Sequence, residues 1–273
     1  MKTIGIIALS GGVNKELLES TVNELKTLGY KIKLSKNIYD QNRYLAGSDG
    51  DKLEALYEFF QNQEIDIILT ARGGYGAIRL INKIDYNIIR KNPKPFCGFS
   101  DVTALLLMIH KNTGLITYHG PMACTDFTQE FNYKHFLKAL SNEKLEFKGT
   151  KIYKEGSAEG ILWGGNLSTV VSLCGVDFIP DEDFIFFAED LNEPVYKIDK
   201  MFTQLFNIEK FRSNCKGIIL GDFLDSDNNE WLEELFKTLP APTVGGFKIT
   251  HSIEKITLPI GKKAKLSDYN LSI

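Results

Sequence analysis

Little in this chain of 273 residues suits metal or redox chemistry. Its four cysteines, Cys97, Cys124, Cys174 and Cys215, lie far apart and form no C-x-x-C pair, so reduced thiols are expected rather than a zinc site or a disulfide. Histidine is as scarce, with four residues, which leaves few candidates for a proton-accepting base. No stretch reaches the roughly 20 apolar residues of a membrane span. The opening "MKTIGIIALSGG" is too short an apolar run for a signal-peptide core. A cytoplasmic protein with no membrane contact is the expectation. An excess of one charge is missing too. The 32 Lys and Arg against 35 Asp and Glu give a net charge of -3, and the lysines are mixed among acids, so no nucleic-acid face is expected.

What is present is an alternation of strands and helices. "TIGIIAL" (3–9), "YKIKLS" (30–35), "IDIILT" (65–70), "PFCGF" (95–99) and "LITYHGP" (115–121) read as strands. Helical patterns follow at 15–28, after a Ser48/Asp49 cap, after "ARGGYGA" (71–77) and over "DVTALLLMIH" (101–110). That rhythm predicts βαβ units and a parallel sheet. A polar, lysine-rich stretch then marks a boundary. The division expected is an N-terminal α/β domain over 1–140, a linker over 141–157 and a smaller second domain over 158–273. In the second half, "AEGILWGGNLSTVVSLCG" suggests strand, glycine turn and helix, "DFIFFAEDLNEP" a buried strand with an acidic end, and the tail a closing hairpin or edge.

Three places carry candidate chemistry. Ser100 stands at a tight strand-to-helix joint two residues after Gly98, where it is either a helix cap or a nucleophile. The esterase pattern G-x-S-x-G is not met, because Val102 occupies the second glycine position. "ARGGYGA" puts three glycines and Arg72 after a buried strand, where backbone amides can approach an anion. A nucleophilic serine needs a base and an orienting carboxylate. His251 and His119 both follow strands and remain open as the base, whereas His110 and His135 lie on helices. Glu189 and Asp190 end an apolar run, one to face a site and the other to cap the helix that begins near Pro194.

Taken together, "YLAGSD" (44–49), "ARGGYGA" (71–77), "GFSDVTALL" (98–106), "YHGPM" (118–122), "GILWGGNLSTVVSLCG" (160–175), "FFAEDLNEPVYKIDKMF" (186–202) and "GGFKITHSIEKITLPIG" (245–261) resemble the LD-carboxypeptidase family. These serine peptidases include murein tetrapeptide carboxypeptidases and microcin C self-immunity hydrolases. The resemblance spans essentially the whole chain, in order. It implies a flavodoxin-like parallel-sheet domain, a smaller β-rich α/β domain, a homodimer and a Ser-Glu-His triad mapping to Ser100, Glu189 and His251. Thr250 stands where the family has glycine, which predicts strain if that position is left-handed. The oxyanion would be held by the amide of Asp101 with that of Gly73 or Gly74. Arg72, Tyr75, His119, Trp163 and Asn166 are the expected substrate contacts, and no metal or cofactor is implied. The substrate implied is a muropeptide losing D-alanine from an L,D bond. Two alternatives stay open. One is hydrolysis of an aminoacyl-nucleotide amide, with Trp163 and Tyr75 as walls for the base; the other is a non-catalytic binding protein in which Ser100 is only a cap.

Overall fold

A computed structural model describes residues 1–125, 127–141 and 143–273. The first half alternates β1 (Thr3–Ile7), α1 (Lys15–Thr27), β2 (Lys31–Leu34), α2 (Asp49–Gln61), β3 (Ile67–Thr70), α3 (Tyr86–Lys91), β4 (Phe96–Gly98), α4 (Thr103–Thr113) and β5 (Thr117–His119). β1, β3 and β4 are buried at almost every position, as strands covered on both faces must be. Caps set the helix starts. Asn14 accepts from the Leu17 amide ahead of α1, and Ser48 with Asp51 forms a reciprocal capping box on α2. The helix expected directly after "ARGGYGA" is a single 3-10 turn, Ala77–Arg79, because Gly74 and Gly76 take φ of 111° and 135°, which holds the chain out of helix until that point.

The second half comprises α5 (Glu130–Leu140), β6 (Glu146–Lys148), β7 (Lys151–Lys154), β8 (Ser157–Asn166), α6 (Leu167–Ser172), β9 (Phe184–Leu191), α7 (Val195–Asn207), α8 (Glu209–Asn214), β10 (Cys215–Leu224), α9 (Asn229–Thr238), β11 (Thr243–Gly245), β12 (Leu258–Ile260), β13 (Lys263–Ser267) and β14 (Asn270–Ser272). The first sheet runs β12-β5-β4-β3-β1-β2, parallel throughout except for β12, and its β2-β1-β3-β4-β5 portion is the flavodoxin-like order. The second sheet runs β6-β14-β13-β8-β9-β10-β11-β7, with a parallel centre β8-β9-β10-β11 and antiparallel flanks. The fold is α/β with two sheets.

Two boundaries differ from the sequence reading. The expected linker over 141–157 carries β6 and β7, which close opposite edges of the second sheet. Their outward lysines read as solvated loop, yet charged residues are what protect an exposed edge. The C-terminal half is also not closed on itself, because β12 leaves it to pair with β5, Leu258 opposite His119. One apolar core accordingly runs through both sheets, from Ile7 and Phe96 to Phe186 and Ile219. The seam is tight. A Cβ on Gly165 would lie 2.4 Å from Thr103 Cγ2, and the Asn166 amide donates to Thr103 Oγ1 at 3.2 Å, so β8 abuts the start of α4 directly.

Candidate active site

The connections that follow β1, β3, β4 and β5 all leave the carboxyl edge of the first sheet, where open α/β sheets bind their ligands. A cleft of about 280 Å³ opens there. Arg72, Gly73, Gly74, Ser100 and His251 line it, five of the residues singled out from sequence. Met122, Cys124, Thr125 and Lys255 also line it and were not anticipated. The first three follow β5 on the same edge, so the carboxyl-edge rule that drew attention to "ARGGYGA" could have found them. Cys124 is no rival nucleophile, since burial pushes its thiol up to about 11.

Ser100 opens a 3-10 turn, Ser100–Val102, that runs directly into α4. Its φ is 58°, one of few positive values at non-glycine residues among the described residues. Holding a side chain there costs on the order of 1–3 kcal/mol, and such strain at a strand-to-helix turn is how a nucleophile elbow exposes its hydroxyl. Neither the turn nor α4 has a side-chain cap, so the hydroxyl is not acting as one. Gly73 explains itself by contact. A Cβ at 73 would lie 3.0 Å from Ser100 Cβ, 3.2 Å from its Oγ and 3.4 Å from the Asp101 amide nitrogen. The glycine loop therefore lies against both the serine and the amide that follows it.

Glu189 and His251 arrive from the second half. β9 is buried at every position but its last, which carries the fully buried Glu189 to its carboxyl end, opposite Asn166 of β8. His251 lies in the segment between β11, in the second sheet, and β12, in the first, so the segment that holds it is anchored to both. His251 Nδ1 and Glu189 Oε2 are 2.8 Å apart. Burial raises the Glu189 pKa, while the hydrogen bond to His251 opposes the rise. The imidazole also packs edge-on against Phe99, ring centroids 4.5 Å apart, beside the serine. Thr250 brings none of the expected strain. Its φ is not among the positive ones, and its hydroxyl accepts from the Ser252 amide at 3.0 Å.

Several expected contacts are corrected by burial. Trp163 is fully buried among Phe178, Phe184, Phe186 and Phe211, and cannot wall a ligand site. Asn166 is 5% exposed, its amide donating to Asp190 and its carbonyl capping α6. Asp190 caps that same helix through Ser168, whereas the amide of Val195 at the start of α7 is bound by Asp227. Tyr75, by contrast, is exposed rather than buried, and it packs against Tyr44, ring centroids 5.6 Å apart, without lining the cleft. His119 is 1% exposed, wedged between Phe99 and Phe187 behind the cleft. Burial, helped by the neighbouring His251, depresses its pKa to about 3.

This gives a testable acid sensitivity. In the unfolded chain His119 takes a proton near its ordinary value of about 6.5, but in the fold only near 3, so stability is present above the former and is lost as pH falls towards the latter. The slope approaches about 1.4 kcal/mol per pH unit. Between pH 6.5 and 4.5 the native protein is expected to lose roughly 2–3 kcal/mol more than His119→Leu in urea unfolding. Parallel pH profiles for the two would show that the imidazole is protonated in the fold.

Comparison with known proteins agrees with this architecture. Residues 4–120 match the LD-carboxypeptidase N-terminal domain and residues 159–266 the LD-carboxypeptidase C-terminal domain. A probable murein peptide carboxypeptidase of Bacillus subtilis is 36% identical over 97% of this chain and 88% of its own length. A crystal structure of an MccF-like protein from Bacillus anthracis superposes with a TM-score of 0.92 at 27% identity, covering 100% of this chain and 96% of that one. A muramoyltetrapeptide carboxypeptidase from Oxalobacter formigenes gives 0.89 at 28% identity, covering 99% and 97%. With both domains matched in order and a near full-length relative above 30% identity, the chain belongs to the LD-carboxypeptidase family and is a peptidase.

Proposed function

We propose that this protein is a serine LD-carboxypeptidase that releases the terminal D-alanine of a murein tetrapeptide, acting as a cytoplasmic homodimer. The observation that carries the reading is the His251–Glu189 hydrogen bond of 2.8 Å at a cleft that also holds the strained Ser100. In the proposed mechanism His251 takes the Ser100 proton through the ring nitrogen not bound to Glu189, and Oγ adds to the carbonyl carbon of the L,D bond. The oxyanion forms against the Asp101 amide and that of Gly73 or Gly74. Collapse breaks the C–N bond, and the imidazolium protonates the departing D-alanine amine. Water, deprotonated by the same imidazole, then cleaves the serine ester and restores Ser100.

Arg72 is proposed to hold the terminal carboxylate. Its Nη1 is tied to the Gly12 carbonyl at 3.0 Å, which fixes the guanidinium at the cleft, and among the described residues no carboxylate pairs with it. Arg72→Leu should lower kcat/KM on the free-acid tetrapeptide by roughly 10- to 100-fold, the worth of a charged hydrogen bond. On the same peptide with a C-terminal carboxamide the change should stay within about threefold. Equal losses on both substrates would remove Arg72 from carboxylate recognition.

The aminoacyl-nucleotide alternative is weakened by the burial of Trp163, one of its two expected base walls. The deciding experiment is mass spectrometry of L-Ala-D-Glu-meso-diaminopimelyl-D-Ala incubated with native protein and with Ser100→Ala. Loss of one alanine with the native protein alone establishes the reaction. No loss in either sample sinks it, and an aminoacyl-nucleotide amide becomes the next substrate. The dimer is checked by light scattering on a sizing column, where a monomer mass would refute it.

A further inference from the structure

On α2 the buried positions are 52, 55, 56, 59 and 60, the spacing of an apolar helix face, and four of them hold Ala55, Leu56, Phe59 and Phe60. The fifth is Lys52. Lysine at such a position normally carries its ammonium out to water along the stem. Here the whole residue is 0% exposed, and among the described residues Nζ has no hydrogen-bond partner. A stem that merely fills the core would not need to bring its charge inside.

Where the ammonium lies is informative. A Cβ placed on Gly76 would be 2.9 Å from Nζ, so Lys52 presses against the backbone of the glycine loop from beneath. Gly76 has φ 135°, and the next residue, Ala77, donates its amide to Asp101 Oδ2 at 2.8 Å. Asp101 is itself 8% exposed. Four charged groups act on Lys52: Asp49 on its own helix, Arg79 and Lys83 beyond the loop, and Asp101. Asp49 acts on it most strongly but is shared with Arg79 at 2.9 Å and Lys83 at 2.7 Å, and Asp101 acts on it by charge from across the loop, without a hydrogen bond among the described residues. Burial pushes the Lys52 pKa down and that of Asp101 up, and the charge of each works against the other's shift. Asp101 thus meets the loop through two of its groups, with Ser10 and the Gly76 backbone also acting on its carboxylate. Its carboxylate holds the loop at Ala77, and its amide nitrogen lies beside Gly73 next to Ser100.

We infer that Lys52 is a positioning residue of the oxyanion pocket, its buried ammonium packed beneath Gly76 while the Asp101 carboxylate binds the Ala77 amide, so that the two hold the 73–77 loop onto the Ser100–Asp101 turn. The inference rests on the reading of Ser100 as nucleophile. Oxyanion donors act only when fixed before the charge develops, and a shift of about 1 Å in such a site costs on the order of 100-fold. Lys52 under Gly76 and Asp101 on the Ala77 amide supply that fixity from below, both buried away from solvent.

A fluorophosphonate probe tests this without any assumption about the peptide, because its phosphoryl oxygen occupies the oxyanion position when the serine is labelled. Labelling of the full chain is followed by intact mass, giving a maximal rate and a half-saturating concentration. Lys52→Met keeps the stem and removes the charge. The maximal rate is expected to fall about 10- to 100-fold with half-saturation unchanged within about threefold. Because Lys52→Met strands a buried carboxylate and can fail to fold, Lys52→Met/Asp101→Asn is measured beside it, with both charges removed. The same loss of maximal rate in a variant that melts cooperatively supports the inference. Native labelling rates in either folded variant overturn it and leave Lys52 as core filling. Native protein that takes no label at Ser100 overturns the nucleophile reading itself, which is a distinguishable result.

Discussion

Ser100→Ala is expected to abolish alanine release, by about 10⁴-fold or more, while leaving the thermal unfolding midpoint within a degree or two of native. The two readings of this serine make opposite predictions, which gives the variant its weight. A helix-capping serine would lose about 1 kcal/mol of stability on conversion to alanine and would leave activity untouched. A nucleophile in a strained turn loses the reaction and almost no stability, because alanine has a Cβ and meets the same penalty at φ 58°. Ser100→Gly sharpens the contrast. Glycine accepts a positive φ without a Cβ clash, and although it also gains freedom when unfolded, relief of strain should leave the inactive variant as stable as native or up to roughly 1 kcal/mol more so. Any residue of hydrolysis in these variants would come from substrate bound against the amides of the glycine loop and Asp101. Activity above about 1% of native in purified Ser100→Ala would remove the serine from the mechanism.

The parts of this site that were legible in sequence are those where local chemistry announces itself. Three glycines after a buried strand, and a serine at a strand-to-helix joint, are choices made by backbone geometry within a few residues, and both "ARGGYGA" and "GFSD" are read without knowing the fold. Glu189 and His251 are candidates from their places after apolar strands and a pair only by motif resemblance, and neither residue's surroundings in the chain predict the 2.8 Å contact between them. That contact depends on β12 crossing from one half to pair with β5 in the other, a return that three short residues, Leu258–Ile260, do not signal. Two of the misread substrate contacts share one cause. Trp163 and His119 carry functional groups, but they occur on strands whose sides are both covered, so their rings are spent on packing. Lys52 is the converse. A lysine on a helix reads as solvent-facing by composition, and only its register with Ala55, Leu56 and Phe59 places it inward.

Glu189→Gln is expected to lower kcat by about 10³- to 10⁴-fold with little change in KM, and to do so in a protein at least as stable as native. Glutamine has almost the shape of glutamate, so the fully buried end of β9 should repack without a cavity. The chemistry does not survive the exchange. With its carbonyl towards Nδ1 the amide still accepts the imidazole N–H, but offers no charge to the imidazolium that forms as Ser100 gives up its proton. With the amino group towards Nδ1 the hydrogen bond reverses, and the proton moves to Nε2, the nitrogen that must accept from the serine. Either orientation stops the transfer. The stability side follows from burial. Removing water from Glu189 raises its pKa, so the fold disfavours the ionised side chain and gives up stability as pH rises from the ordinary carboxylate range through the raised value. Glutamine cannot ionise, and the variant should therefore gain on native protein as pH rises through that window. Unfolding midpoints at pH 4, 5.5 and 7 beside steady-state rates separate the two effects. A kcat within tenfold of native would mean that the 2.8 Å bond only holds the segment from β11 to β12 in place; a large loss of kcat with a gain in stability would mean that β9 delivers a carboxylate the fold tolerates because the reaction requires it.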